Sequence, residues 1–503
     1  MPQQVGLTAL SSSARAPHSP YQLTVPAWPL ASTVVDRDRG PLPAGLPADV
    51  LRRTAEVLGE PQVPSTGVGE SAALELVAGL LNSYGIDLSH PRAAAHLQPP
   101  VLQVAVDADA LASASNASMD TYDSGPATLA IEQWVVRSLA ALAGFGPASD
   151  GVLTPGGSIS NLLAVLIARD SAAAAAGLDV RRHGVHGMRR PVVFCSELAH
   201  FSIQRACAAL GLGEDAVVVI PTDGDFRMRL DVLADELARP DRTPIAVVAT
   251  AGTTDYGSID PIAGIAELAR PYGAWVHADA AYGFGALFSD RLAPLLAELP
   301  SADSVTLDLH KIGWQPAATS VLLVGDQERF AALGRSVDYL NPADDVDSGL
   351  DGLLGRSLQT TRRPDAVKIA TTLSAYGRAG LGRMLDTCHE LAHAAAARVV
   401  ADSNLELLAP VTLTTVLFRV AARELDAPGL DALQGEIRRR LLTSGQVLIG
   451  RTKIPARGDR PAAVALKLTL LNPNATASDI EELLDLVVAT GHDVRSAGGE
   501  GAA

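Results

Sequence analysis

Residues 301–316 read SADSVTLDLHKIGWQP, Ser301 to Pro316. The pattern predicts a short strand over Ser304–Asp308 that runs straight into His310 and Lys311. A lysine is costly to bury unless it is paired, neutral or chemically linked. A reactive amine at the end of a strand is what a Schiff-base lysine requires. Taken alone, the stretch reads more readily as a surface lysine closing a strand. The motifs on either side reverse that reading.

Upstream of this stretch, from about residue 145, short β-rich runs alternate with helical patterns. The runs are Val192–Ser196, Val217–Ile220, Ile245–Thr250 and Ala274–Ala278, and Thr319–Val324 follows downstream. Helices are expected over Ser158–Ala176, His200–Leu210, Arg229–Ala238 and Ile262–Tyr272. Such alternation implies an α/β domain with a mostly parallel sheet covered on both faces, and functional groups gather at the carboxyl ends of its strands. We expect a flexible arm over 1–48, a helical segment over 49–144 that lacks strands and is too thin to enclose its own core, and the large domain over 145–350. A helical link and small α+β domain over 351–492 and a disordered tail over 493–503 complete the chain. The thin helical layer calls for a second subunit, so a homodimer is expected.

Composition narrows the function. The 503 residues carry 40 Lys and Arg against 56 Asp and Glu, a net charge of −16, which argues against nucleic acid or anionic membrane as a partner. Three cysteines, Cys195, Cys207 and Cys388, have no close spacing and fit a reduced compartment without a CxxC metal site. No apolar run reaches the length of a membrane span. The expectation is a soluble cytoplasmic enzyme with a small-molecule substrate and no metal.

Four motifs, three of them at the end of a predicted strand, then converge. Thr154-Pro155-Gly156-Gly157-Ser158 opens a helix whose free N–H groups, with the Ser158 hydroxyl, suit a phosphate. His200 closes Ser196-Glu197-Leu198-Ala199-His200 and can stack on a planar ring. Ala251-Gly252-Thr253-Thr254 offers hydroxyls. His277-Ala278-Asp279-Ala280-Ala281 puts a carboxylate, Asp279, where a protonated pyridine nitrogen is a fitting partner. Each motif alone has a plain structural explanation: a turn, a helix cap or a packed histidine. In this order, with Lys311, they describe a site for pyridoxal 5′-phosphate, with Asp279 keeping the ring able to accept electrons.

The pieces GVLTPGGSISNLLAVLIARD, SELAHFSIQRACAALGLG, TAGTTDYGSIDPI, HADAAYGFGAL, ADSVTLDLHK and LKLTLLNPNATASDIEELL resemble the group II pyridoxal phosphate-dependent decarboxylases over roughly residues 70–490. That resemblance implies fold type I, the aspartate aminotransferase-like architecture. It also implies that Lys311 binds the cofactor covalently, Asp279 meets the pyridine nitrogen and His200 stacks on the ring. Gly157, Ser158 and His310 are implied at the phosphate, and Thr254, His277, Ala281 and Asp308 in the cofactor pocket.

HKIGWQP, SVDYLNPADD, SLQTTRRPDAVK, HPRAAAHLQPP and NASMDTYDSGPATLAIE are similar to the branch of L-2,4-diaminobutyrate decarboxylases and siderophore-pathway lysine decarboxylases. That likeness implies α-decarboxylation of a basic diamino acid (2,4-diaminobutyrate, lysine or ornithine) in polyamine or siderophore biosynthesis. It also implies a catalytic Tyr339 on a mobile loop and active sites at a homodimer interface. Asp120, Asp123 and Asp344 are candidates to hold a distal ammonium. Pro364, Ala370 and Ala93–Ala95 depart from the branch in regions that border its active site or dimer contact. The alternative is an aromatic amino acid decarboxylase or a decarboxylating aldehyde synthase on the same scaffold. Retention of tyrosine at 339 argues against the aldehyde synthase.

Overall fold

The computed structural model describes residues 39–334, 339–456 and 461–500. Most of the expected arm, residues 1–38, therefore lies outside the described residues. In chain order the strands are β1 (Ala93–Ala94), β2 (Asp150–Thr154), β3 (Pro191–Ser196), β4 (Val217–Ile220), β5 (Thr243–Thr250), β6 (Trp275–Asp279), β7 (Ser304–Asp308), β8 (Ser320–Val324), β9 (Leu405–Leu407), β10 (Thr415–Val420), β11 (Leu448–Ile454) and β12 (Ala463–Thr469). The helices that matter for the site are α1 (Pro47–Leu58), α2 (Glu70–Tyr84), α3 (Gln103–Ser115), α4 (Pro126–Leu142) and α5 (Gly157–Ala175).

Seven strands form the large sheet in the order β2-β8-β7-β6-β5-β3-β4. Neighbours from β4 to β7 are parallel, while β8 runs antiparallel to both β7 and β2. Successive side chains alternate between two cores. Val247, Ala249, Val276, Ala278, Val305 and Leu307 face one, and Ala246, Val248, Val193 and Cys195 face the other. Apolar runs without polar alternation are what a strand covered on both faces requires. β8 follows that pattern, and every residue of β6 and β7 is buried as well although His277, Asp279, Ser304, Thr306 and Asp308 alternate with their apolar residues.

The smaller sheet has the order β1-β11-β12-β10-β9. It is antiparallel except where β1 pairs parallel to β11 through Ala93–Leu448 and Ala94–Ile449. Its core takes Phe418, Leu466, Leu468, Ile437, Leu483 and Val487, the last three from the helices Ala427–Ser444 and Ala477–Glu500.

Several expectations are corrected. The segment before residue 145 is not free of strands, because β1 lies in it. β2 escapes a propensity reading because Gly151 interrupts it. A Cβ there would sit 2.6 Å from the Leu322 carbonyl oxygen of the adjoining strand, so the close approach selects glycine. The helical link begins as the run Ala366–Ala401, which is two helices meeting at a kink where Gly377 is non-helical (φ 61°, ψ 179°). The final helix continues to Glu500, into the stretch 493–503 expected as a disordered tail. α1 buries none of its residues and α2 only Leu80, leaving Leu51, Leu58, Leu74, Val77 and Leu81 exposed. Among the described residues no helix is long and apolar enough to cross a membrane.

Candidate active site

The carboxyl ends of β3, β5, β6 and β7 and the start of α5 open onto one cavity of about 280 Å³. Its walls include Gly156, Gly157, Ser158, Asn161, His200, Thr250, Thr254, Asp279, Ala281, Asp308, His310 and Lys311. Four motifs spread over more than a hundred residues of chain, Thr154 to Ala281, thus meet where parallel strands end.

Lys311 lies on a turn three residues beyond β7. Its Nζ is 2.9 Å from Asp308 Oδ2, and the lysine side chain keeps about 21% of its surface exposed while Asp308 keeps 3%. The Asp308 carboxylate also accepts from Ser320 Oγ, and His310 Nε2 stands 3.7 Å from it. The turn is clamped from behind. Trp314 is fully buried, and its indole N–H donates to the Leu471 carbonyl at 2.9 Å. Gln315 Nε2 donates to the Gly313 carbonyl (2.9 Å) and to Thr372 Oγ1 (3.0 Å). The residues after Lys311 therefore hold the amine in place.

At the facing wall, Gly156 has φ 127°, a conformation that side chains disfavour, and leads into α5 at Gly157. A Cβ at Gly157 would lie 2.9 Å from Asp308 Oδ1, so helix start and carboxylate are in van der Waals contact only because the residue is glycine.

Asp279 ends β6. Its Oδ2 accepts from Asn161 Nδ2 at 2.8 Å and its Oδ1 from the Ala281 N–H at 3.1 Å. His200 Nδ1 lies 2.9 Å from Ser202 Oγ. Burial lowers the His200 pKa, the Asp279 carboxylate opposes that, and the Lys311 ammonium adds to it, so the ring is held toward its neutral form.

The structure brings together Gly157, Ser158, His200, Thr254, Asp279, Ala281, Asp308, His310 and Lys311. One expectation is corrected. His277 was expected in the pocket but lies behind its wall, 1% exposed, because it precedes Asp279 by two residues on β6 and points into the packing against α5. Its Nδ1 lies 2.8 Å from Ser304 Oγ and its Nε2 3.0 Å from Asn161 Oδ1, and burial lowers its pKa to about 4. Tyr339 is not on this cavity. It is 82% exposed and borders a separate hollow with Arg169, Asp170 and Leu354. Of the acidic candidates, Asp120 is buried, Asp123 accepts from Thr121 Oγ1 at 2.6 Å and Asp344 is exposed, and none lines the cavity.

Two cavity residues escaped the sequence reading. Asn161 sits one helical turn into α5 and carries no motif signal of its own. Thr250 ends β5, and its Oγ1 is buried without a hydrogen-bond partner. His389 and His393 spell His-Glu-x-x-His on the long helix, with Nε2 atoms 3.3 Å apart. Two imidazoles are half a zinc site. Among the described residues no group of three or more His, Cys, Asp or Glu side chains converges there or elsewhere, and Glu390 is paired with Arg291.

The donor set fits pyridoxal phosphate. The cavity offers a primary amine, an acceptor-only carboxylate, a glycine-lined helix start for an anion and one orphaned hydroxyl. Known proteins agree. Residues 77–421 match the pyridoxal-dependent decarboxylase conserved domain. The chain is 40% identical over 438 residues to an L-2,4-diaminobutyrate decarboxylase of Rhizobium meliloti, covering 86% of this chain and 84% of that one. It is 34% identical over 448 residues to an L-2,4-diaminobutyrate decarboxylase of Acinetobacter baumannii, covering 87% of each. The glutamate decarboxylase domain of a Vibrio parahaemolyticus diaminobutyrate-pyruvate transaminase and L-2,4-diaminobutyrate decarboxylase superposes with a TM-score of 0.80 at 30% identity, over 90% of this chain and 91% of that one. The fold is that of the pyridoxal phosphate-dependent decarboxylases, the cofactor is pyridoxal phosphate, and the chain belongs to the pyridoxal-dependent decarboxylase family.

Proposed function

We propose that this decarboxylase acts on L-2,4-diaminobutyrate, releasing CO2 and leaving a diamine. The observation that carries the substrate is the 40% identity over 86% of the chain to a decarboxylase of that amino acid. Bound pyridoxal phosphate supplies the electron sink into which the bond between Cα and the carboxylate gives up its pair.

The chain's residues do the rest. Lys311 Nζ is the covalent anchor, and Asp308 at 2.9 Å holds that amine at the cavity floor. The N–H groups at the start of α5, with Ser158 and His310, take the phosphate. Asp279 presents its carboxylate to the ring nitrogen, and His200, kept toward neutrality by burial, covers the ring face without adding a charge beside Lys311. Thr250 Oγ1, which has no protein partner, takes a polar oxygen of the bound group. Holding the scissile bond in alignment with the ring is a positioning effect, of the kind that supplies much of an enzymatic rate enhancement.

Tyr339 returns the proton to Cα from its phenolic oxygen. Because it stands 82% exposed and away from its own protomer's cavity, it serves the site of a second copy. The unburied apolar faces of α1 and α2 support a homodimer. The test is a panel of 2,4-diaminobutyrate, lysine, ornithine, glutamate and aromatic amino acids, read by amine formation with added cofactor. A highest kcat/KM on 2,4-diaminobutyrate is expected. A preference of tenfold or more, about 1.4 kcal/mol, for an acidic or aromatic substrate overturns the reading.

A further inference from the structure

We propose that Asn161 is a positioning residue, the junction of a one-way buried hydrogen-bond chain that orients the Asp279 carboxylate and decides which nitrogen of His200 carries its proton. The inference rests on the cofactor reading of the cavity, since Asp279 and His200 are the groups it prepares.

The direction of every bond follows from which atoms can only donate or only accept. The Asp279 carboxylate accepts, so the Asn161 atom 2.8 Å from its Oδ2 must be the amide nitrogen. Asn161 Oδ1 therefore faces His277 Nε2 at 3.0 Å and can only accept, so His277 carries a proton on Nε2. That ring is enclosed between β6, β7 and α5 and stays neutral, so its Nδ1 is bare and accepts the hydroxyl hydrogen of Ser304 at 2.8 Å. Trp275 Nε1–H, which can only donate, meets Ser304 Oγ at 2.8 Å and closes this arm on a lone pair. Assignment from the carboxylate end and from the indole end agree.

The second amide hydrogen of Asn161 goes to Ser202 Oγ at 2.9 Å. The Ser202 backbone N–H, which can only donate, meets His200 Nδ1 at 3.3 Å, so that nitrogen is bare and the hydroxyl hydrogen of Ser202, whose oxygen already accepts from Asn161, points to it at 2.9 Å. Two donors on one nitrogen leave His200 Nε2 as the nitrogen that bears the proton. One amide group, 1% exposed, thus supplies a donor to the ring-nitrogen partner and, through one serine, a donor to the ring-stacking histidine.

Two variants of the full-length protein test this. Asn161→Asp is isosteric but replaces both donated hydrogens with lone pairs and sets a second carboxylate against Asp279. Asn161→Ala deletes the junction without adding charge. The first readout is the 15N spectrum of cofactor-free, 15N-histidine-labelled protein, with His200 and His277 assigned by single replacement. We expect wild type to show both rings neutral with the proton on Nε2, and Asn161→Ala to show a mixture of tautomers. The second is pyridoxal phosphate affinity by fluorescence titration, expected to fall at least tenfold in both variants. A merely structural role would move the melting temperature and leave the tautomers unchanged.

Wild-type His200 or His277 protonated on Nδ1 overturns the inference. So do variants that keep the wild-type tautomers and bind within twofold of wild type. If Asn161→Asp does not fold, the wild-type spectrum and Asn161→Ala decide. Should the cofactor reading itself be wrong, Lys311→Ala would bind pyridoxal phosphate as wild type does, while the tautomer result would stand or fall separately.

Discussion

The buried state of His277 has a proton inventory that can be weighed. Its pKa is lowered from the ordinary 6.5 to about 4 by burial. A depressed pKa means that the unfolded chain binds the proton more readily. Its contribution to stability is therefore present above the unfolded value and lost as pH falls from 6.5 toward 4. At about pH 5 the unfolded imidazole is nearly all protonated and the folded one about a tenth, so unfolding takes up about 0.9 proton at this site. Integrated down from about pH 7.5, that is about 2 kcal/mol of stability lost.

A second group hides the effect. Burial raises the Asp260 pKa from 3.8 to about 6, so its carboxyl releases a proton on unfolding across the same window and gains stability as pH falls. The two nearly cancel in wild type. The perturbation is His277→Gln, whose amide can still donate to Asn161, measured as proton uptake on denaturant unfolding of cofactor-free protein. At about pH 5 wild type should take up about 0.9 proton per chain more than the variant, and at about pH 7.5 about 0.1 more. Equal uptake by both proteins at pH 5 refutes the claim that His277 is held neutral behind the cofactor wall.

Three further outcomes follow from the same geometry. Gly157→Ala places a Cβ 2.9 Å from Asp308 Oδ1, and that carboxylate is held by Ser320 and Lys311, so the variant should fold but bind pyridoxal phosphate at least tenfold more weakly in a titration, about 1.4 kcal/mol. In Asp279→Asn one of the two donors, Asn161 Nδ2 or Ala281 N–H, must face an amide N–H, and the anion is lost. A charge-assisted bond is worth about 1.5–3 kcal/mol, so kcat/KM should fall by ten- to a hundredfold or more. Glu132→Leu strands the buried Arg362 guanidinium, which contacts Glu132 Oε1 at 2.8 Å and Oε2 at 3.1 Å. Removing one member of a buried pair costs about 3–5 kcal/mol, so the apparent melting temperature should drop clearly while Arg362→Met in the same background restores part of it.

What the sequence announced and what it withheld have physical reasons. Lys311, Asp279, His200 and Gly157 stood out because each ends a strand or starts a helix, where periodicity breaks and chemistry is exposed. β5 and β8 were legible as apolar runs with sharp ends, and β6 and β7 as alternating stretches that end in a carboxylate. Asn161 was silent because a single asparagine inside a helix has no period or spacing to betray it. Its partners, Ser202, His277 and Asp279, are 41, 116 and 118 residues away. His277 was placed in the pocket by the family resemblance, and neither that nor strand alternation says how deep a side chain sits. β1 is two alanines with little β preference, paired only because the smaller sheet offers an edge. Tyr339 stands exposed away from the cavity, and its catalytic role was implied by the family resemblance rather than by any spacing in its own loop.

The central claim is that Lys311 carries the cofactor in a decarboxylase of 2,4-diaminobutyrate. The most direct measurement follows CO2 release from L-2,4-diaminobutyrate by the purified protein with pyridoxal phosphate, beside Lys311→Ala at equal cofactor saturation. CO2 in equal amount to the diamine formed, abolished in the variant, is the predicted result. No CO2 from wild type, or release that survives Lys311→Ala, would contradict it.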